Sequence, residues 1–415
     1  MMIGSLRKPC FCKFISLSNA AKIMPKVVAE SHGKHSLAGT DVAVAFFDSI
    51  DKATDWEITA PAYDLFLQKD YLKTLELAVP EGMQFVYLVF YKKRIPIGIA
   101  YGQVLDFNST KNVPIAPHHY FKKWLLRQLN FKFLFCGNLL STGEHAFHFK
   151  KEISTQEVTT LLSKALQLFT TQSRLHNRRI AATIIKDLPE NVDAELFKNQ
   201  GFVPIHFQPS MIFDLNPNWQ SFEDYLHAMS SKYRVRARRA LKKATDLKWR
   251  EWNAAEIEKN LSKVNELYKN IAQGADFNAV HLRPQHFLNF KIQLPQQFRF
   301  FAVFEKENLI GFYTTLQNED ELEAHYLGYD LEANHHNQLY LNMLYRMIQQ
   351  GIEMNVKRIV FARTAMEIKS SVGAVAQELV LYMRPTAAWS SPIWRTLIHF
   401  FEPKITWTPR HPFRE

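Results

Sequence analysis

The feature that most constrains this chain is a pattern that occurs twice. The segment "FVYLVFYKKRIPIG" (Phe85 to Gly98) lies over "FRFFAVFEKENLIG" (Phe298 to Gly311) without a gap. A second pair of anchors, "RRIAATIIK" (Arg178 to Lys186) and "KRIVFARTA" (Lys357 to Ala365), follows at the end of each copy. Repeats this long point to duplicated domains rather than to a solenoid. In the second copy, Phe300 to Phe304, Ile310 to Leu316, Glu321 to Tyr329 and Arg358 to Ala362 read as strands, and Leu339 to Met354 as a helix. Each copy is thus a hairpin meander followed by β-α-β, a crossover that imposes a parallel strand pair with a helix on one face. The expected class is α/β, of the α+β kind with mixed sheets.

The repeat divides the 415 residues. Residues 1–41 are expected to be a disordered basic extension. Residues 42–215 form the first domain, residues 216–384 the second, with a basic helix at 230–244, and residues 385–415 a tail. Within the first domain, Val42 to Phe47 reads as a strand, Pro61 to Val79 as a helix and Phe121 to Leu129 as a helical insertion. Ser154-x-x-Glu157 is a capping box opening a helix with one apolar face. Met211 to Leu215 is expected to be the last strand of the first copy, and Asn216 to Trp219 the linker.

Composition narrows the setting. With 47% hydrophobic and 22% charged residues the chain is ordinary for a soluble globular protein. No apolar run approaches the roughly 18–20 residues a bilayer span needs. Three cysteines cannot build a disulfide framework, which suits a reducing, cytoplasmic setting, and they offer no metal site. The net charge of +11 favours anionic partners. Seven of the twelve residues from Lys232 to Lys243 are basic. Helical spacing puts Lys232, Arg236, Arg239 and Lys243 on one stripe and Tyr233, Ala237, Ala240, Leu241 and Ala244 on another. The tail, with Trp389, Trp394 and Trp407 and the apolar stretch Ser390 to Phe401, reads as a docking segment or a peripheral membrane contact.

Two copies with a basic helix between them resemble tandem GNAT-fold (Gcn5-related N-acetyltransferase) domains. "FKNQGF" (Phe197 to Phe202) is similar to the aromatic-x-x-x-Gly-Phe ending of many such domains. "KYRVRARRALKKA", "HYLGYD" (His325 to Asp330) and "FARTAMEIKSSVGA" (Phe361 to Ala374) resemble the BioF2-like acetyltransferase domain family and, more distantly, the Fem-type peptidoglycan aminoacyltransferases. The likeness implies an N-acyltransferase that moves an acyl or aminoacyl group from acyl-CoA or aminoacyl-tRNA to an amine, small or lipid-linked, in cell-envelope or lipid biosynthesis. One departure matters. The glycines that let backbone N–H groups cradle a CoA pyrophosphate are replaced by Leu339 and Leu341 in "HHNQLYLNML". The first copy has no such loop either, so the donor expected is one other than ordinary acetyl-CoA.

In a GNAT-like copy the fourth and fifth strands splay and the acyl donor sits in the gap. The resemblance then implies Glu323, His325 and Tyr326 as catalytic groups on one strand, His325 as proton acceptor and Tyr326 as donor to the leaving group. Strand alternation puts Glu323 and His325 on one face and Tyr326 on the other. Arg363, Lys369, His335 and His336, with Lys232, Arg236, Arg239 and Lys243, are the candidates for holding the donor's phosphates. Two other readings stay open: a non-catalytic, degenerate GNAT pair that binds RNA or anionic lipid, and a nucleic-acid-binding protein.

Overall fold

The computed structural model describes residues 33–108, 130–175, 180–272, 280–386 and 407–414. Residues 1–32, the helix expected at Phe121 to Leu129 and the stretch Ser390 to Phe401 lie outside these. The strands are β1 (His35–Ser36), β2 (Val42–Phe47), β3 (Met83–Lys92), β4 (Ile95–Asn108), β5 (Asn130–Cys136), β6 (Phe147–Phe149), β7 (Ile180–Pro189) and β8 (Val203–His206). They continue with β9 (Ser210–Asp214), β10 (Leu247–Glu251), β11 (Phe298–Glu305), β12 (Asn308–Asn318), β13 (Glu321–Tyr329), β14 (Arg358–Val360), β15 (Val375–Gln377) and β16 (Leu379–Pro385).

These strands form two mixed sheets. One runs β1-β2-β3-β4-β5-β7-β16-β8, with β6 also on β4, and the other runs β10-β11-β12-β13-β14-β9-β15. The repeated hairpins take equivalent places. In β3 and β4, Phe85 opposes Gln103 and Phe90 opposes Gly98. In β11 and β12, Phe298 opposes Leu316 and Val303 opposes Gly311. Even the register shift recurs, after Phe90 in one copy and after Val303 in the other. Each copy also holds one parallel pair, β5 with β7 and β13 with β14.

The division at residue 215 cuts the chain but not the sheets. β9, expected to finish the first copy, pairs with β14 and β15 in the second sheet. β16, from the second copy, pairs with β7 and β8 in the first. Each half therefore lends its last strand to the other. The described part of the N-terminal extension is also engaged, since β1 pairs with β2.

Three cores follow from this layering. β3 is apolar on both faces, as expected for a strand covered on both sides. Val86, Leu88 and Phe90 pack under the helix Thr155–Leu175. Phe85, Tyr87, Val89 and Tyr91 face Phe298, Phe300, Phe312 and Leu316 of the second sheet, across the helices Lys69–Leu77 and His286–Gln293. The outer face of the second sheet is covered by the helices Phe222–Ala228, Ser231–Lys243 and Leu339–Glu353. The expected helix from Pro61 to Val79 is broken instead. Asp64 accepts from the Phe66 N–H at 3.0 Å and caps a short turn at Leu65–Leu67, so the helix starts only at Lys69. From the tail, Phe413 stacks on Phe213 at 5.9 Å and contacts Trp219 and Tyr225, so residues 407–414 dock on the second half.

Candidate active site

The site grows from an interruption of one strand. Along β13, Leu327 opposes Tyr313 but Ala324 opposes Thr315, so His325 and Tyr326 share Thr314. This is a β-bulge. The Thr314 hydroxyl fills it, accepting from the Tyr326 N–H and donating to the Tyr326 carbonyl, both at 3.0 Å. The bulge overturns the alternation expected from sequence. His325 lies 4.9 Å from Phe290, Tyr326 lies 6.1 Å from Phe287, and both rings meet His286, at 5.3 and 5.6 Å. Glu323 and these two residues thus face the core between the sheets together.

The first copy is interrupted at the matching place. The residue that lies over Thr314 in the repeat is Tyr101. β5 accompanies β4 as far as Gly102 with Cys136, and β6 resumes at Ala100 with Phe147. The ten residues Gly137–Ala146 leave the sheet between them. Tyr101 closes the neck, accepting from Gly137 N–H at 3.0 Å and donating to the Ala146 carbonyl at 3.1 Å. Gly143 has φ +125°, and a Cβ there would sit 2.7 Å from the His145 ring, so glycine is required.

Buried polar groups hold this excursion. Asn138 donates to the Tyr71 hydroxyl at 2.8 Å and accepts from Gln103 at 3.1 Å, while Gln103 accepts from Leu139 N–H at 2.8 Å. Lys186 donates to the Ser141 carbonyl at 3.0 Å. Asp187, 0% exposed, accepts from Gly143 N–H at 3.1 Å and is paired with Lys186 and Arg363. These two cations, outweighing burial, hold its carboxyl below the usual carboxylate range. His145 Nδ1 lies 2.9 Å from Asp64, with its ring stacked on Phe66. The excursion then reaches the other half: the Tyr326 hydroxyl donates to the Leu140 carbonyl at 2.9 Å.

β13 pairs with β14 only from Glu321 to Glu323, against Arg358 to Val360, and then runs on to Tyr329 paired with β12 but not with β14. A wedge opens there. The excursion touches both of its sides, through Tyr326 on β13 and through Asp187 to Arg363 beyond β14. Burial is the main force on the acids nearby. Glu323 is 6% exposed, and burial, then repulsion from Glu321 and Asp64, pushes its pKa well above the usual range. Glu321 and Glu144 are raised by burial as well. The hydroxyls of Tyr71, Tyr101 and Tyr326 are pushed up by burial and stay protonated.

The remaining sequence candidates are placed as follows. His325 is held well below its ordinary pKa, by burial and then by His286, and its Nε2 has no partner among the described residues. His286, 1% exposed, is lowered by burial to about 3. Both rings are neutral, and protonating His325 would put a cation in an aromatic box, which argues against the proton-acceptor role expected for it. Arg363 is spent: it donates to the Gln208 carbonyl at 2.8 Å and to Asp187 at 2.5 Å. Lys369, lowered by burial to about 7, donates to the carbonyls of Ala362 and Arg363, at 3.2 and 2.5 Å. It steadies a turn in which Ala362, Thr364 and Ala365 all have positive φ, a strained backbone of the kind that collects at functional sites. His335 and His336 precede the helix Leu339–Glu353 and lie outside its first turn. Asp330 caps a separate helix, Leu331–Asn337, and puts both in its last turn, exposed. Lys232, Arg236, Arg239 and Lys243 are exposed and carry no ion pair among the described residues. Their helix packs through Ala237 and Ala240 on the outer face of the second sheet, so it is not brought to Glu323.

Sequence reasoning missed Asp64, Tyr71, Asn138, His145 and Asp187. The available signal was a length mismatch: between the matched anchors the first copy carries extra residues, with Gly137 and Gly143 inside them.

A family profile described as FemAB-like, peptidoglycan biosynthesis/recognition, matches residues 141–365, more than half of the chain. The chain belongs to the FemAB-like family. Solved structures similar to it include FemX, at 12% identity and TM-score 0.49 over 82% of this chain and 95% of that one. A tandem GNAT protein from the clavulanic acid biosynthesis pathway matches at 11% identity and TM-score 0.48, over 83% of this chain and 99% of that one. L-PGS from Bacillus licheniformis matches at 11% identity and TM-score 0.44, over 78% and 93%. No curated protein sequence matches. Among the described residues no helix is long and apolar enough to cross a membrane, and no cluster could hold a metal ion.

Proposed function

We propose that this protein is an N-acyltransferase that moves an acyl or aminoacyl group from a phosphate-containing donor, acyl-CoA or aminoacyl-tRNA, onto an amine. The observation that carries the reading is the bulge at His325 and Tyr326. It gathers Glu323, Tyr326 and the first-half excursion at the open wedge between β13 and β14. Acyl transfer to an amine needs orientation, a group to take a proton and donors for the tetrahedral oxyanion. Glu323 supplies the proton acceptor and Tyr326 a hydroxyl at the reacting carbonyl. Arg363 and Lys369 act by fixing the turn at Ala362–Ala365, which forms the far wall of the wedge. Family membership supports the class.

The helix Leu339–Glu353 starts at left-handed Gln338, with Leu339 and Leu341 buried in the core. No glycine cradle lies there, which supports an aminoacyl-tRNA over acetyl-CoA. The exposed basic helix is the surface that suits the tRNA phosphates, and it equally favours a second reading, a non-catalytic module for RNA or anionic lipid. Native mass spectrometry of protein purified from its host tests the donor, followed by transfer of label from acetyl-CoA or aminoacyl-tRNA to an amine. The reading expects transfer by the native chain and loss of transfer in Glu323→Gln. RNA or lipid retained by a chain that transfers from neither donor class would favour the second reading instead.

A further inference from the structure

Two elements on which the proposed activity depends begin without a side-chain cap. The basic helix Ser231–Lys243 follows Ser230, which makes no side-chain cap bond, and its first turn holds no acid. The helix Met366–Ser371 follows Ala365, at φ +48°, and has no side-chain cap bond either. It continues directly from the strained turn Ala362–Ala365 at the wall of the wedge. Helix starts leave backbone donors without intrahelical partners, so both are weak places unless something else steadies them.

The segment Trp407–Arg414 reaches both. On the wedge side, Glu367 accepts from the Thr408 N–H and from Arg410 Nη2, each at 3.2 Å. The Ser370 hydroxyl accepts from the Arg410 N–H at 3.1 Å. Glu367 and Ser370 lie either side of Lys369, whose ammonium holds the carbonyls of Ala362 and Arg363. On the helix side, the Ser230 N–H donates to the Pro412 carbonyl at 2.8 Å, and Phe413 bridges to Met229.

The Phe413 ring is the anchor between the two. It stacks on Phe213 and meets Tyr225 edge-on, both at 5.9 Å. The Tyr225 hydroxyl donates to the Val372 carbonyl at 2.9 Å and so fixes one edge of the slot. The slot exists because residue 373 is glycine: its φ is +114°, and a Cβ there would stand 2.5 Å from the Phe413 ring. The local sequence suits the task. Pro409 and Pro412 have no N–H to satisfy and limit the freedom lost on ordering, while Thr408 and Arg410 supply the donors.

We infer that Trp407–Arg414 is a positioning strap: by joining Glu367 and Ser370 to Ser230 it holds the far wall of the wedge and the start of the basic helix in one fixed relation, with Arg410 and Phe413 as its anchors. Neither anchor touches substrate; both act through the turn. The inference rests on the acyl-transfer reading for what the wedge does. A donor whose phosphates lie on the basic helix presents its acyl carbon correctly only while that relation is kept.

The test compares Phe413→Ala and Arg410→Ala in the full chain by hydrogen exchange and by steady-state transfer, from whichever of acetyl-CoA and aminoacyl-tRNA the native chain uses. Val44→Ala, in the core of the first sheet, is the control for lost stability alone. Phe413→Ala should speed exchange at least about ten-fold in residues 361–371 and 228–234, while β3 and β4 keep their protection. Arg410 is exposed, so Arg410→Ala should speed exchange in residues 361–371 alone, and it serves if Phe413→Ala does not fold. Transfer should lose at least about ten-fold in kcat at an unchanged KM for the amine, and Val44→Ala should show neither effect. Unchanged exchange in residues 361–371 of the folded variants, or equal acceleration there by Val44→Ala, overturns the strap. Faster exchange with kcat unchanged also overturns it, leaving a tail that only docks. A native chain that transfers from neither donor loses the transferase reading alone, and the exchange result still decides whether the strap holds the wall.

Discussion

Both copies break the strand that follows the repeated hairpin, beside β4 at Tyr101 and beside β12 at the equivalent Thr314, and they use the break differently. In the second copy the interruption is one extra residue, filled by the Thr314 hydroxyl. In the first it is the ten-residue excursion Gly137–Ala146, closed at its neck by Tyr101. The short break re-aims side chains within its own sheet. The long one leaves its sheet and reaches the short one, through Leu140 and Tyr326. Duplication gave two equivalent weak points, and only their divergence makes one joint site. The exchanged strands β9 and β16 keep the two sheets from separating around it.

The largest expected effect comes from the anchor of the excursion. Asp187→Asn tolerates the positive φ of that residue but leaves Lys186 and Arg363 buried without their counter-ion. We expect a loss of about 3–5 kcal/mol in denaturant unfolding. Because Asp187 is held below its ordinary range, the native chain has this stability in full above about pH 4. It loses it as pH falls through the depressed folded value. Asp187→Asn should flatten that acid limb, and an unchanged limb would show that the network carries no folding free energy.

Thr314→Val comes next, and it attacks the bulge alone. It strips partners from the Tyr326 N–H and carbonyl at constant shape and should cost about 1–3 kcal/mol. Acyl transfer should fall with it, while the first sheet's thermal signature stays. Tyr326→Phe removes the bond to Leu140, worth about 1 kcal/mol of stability, together with the hydroxyl proposed at the reacting carbonyl, so transfer should fall more than stability does. Glu323→Gln should change stability with the opposite pH sense. An acid with a raised folded pKa costs stability as pH rises from its unfolded value towards its folded one, so the variant should gain on the native chain in that window.

How far the sequence reached follows from the same comparison. The hairpins were legible because both faces of β3 and β11 are apolar and the two segments match without a gap. The helix Thr155–Leu175 was announced by its cap, and Ser154 does accept from Glu157 N–H at 3.3 Å. The exchange of β9 and β16 was not legible, because a short apolar strand fits the end of either sheet equally well. The bulge was hidden because a single extra residue leaves no mark in a period-two pattern. That Asp330 caps a separate helix, Leu331–Asn337, carrying His335 and His336 was not read from the sequence, although it precedes Leu331 directly. Arg363 and Lys369 were read as candidates for holding a donor's phosphates, and nothing local shows that Arg363 is met by the distant Asp187 or Lys369 by the carbonyls of Ala362 and Arg363.

The central claim is that the excursion of the first copy and the bulge of the second form one unit. Hydrogen exchange on Asp187→Asn, read by mass spectrometry under conditions where the chain stays folded, tests it most directly. The account predicts faster exchange in residues 137–146 together with residues 323–327 of β13, while the hairpin of β11 and β12 keeps its protection. Loosening confined to the first half, with β13 as protected as in the native chain, would contradict it.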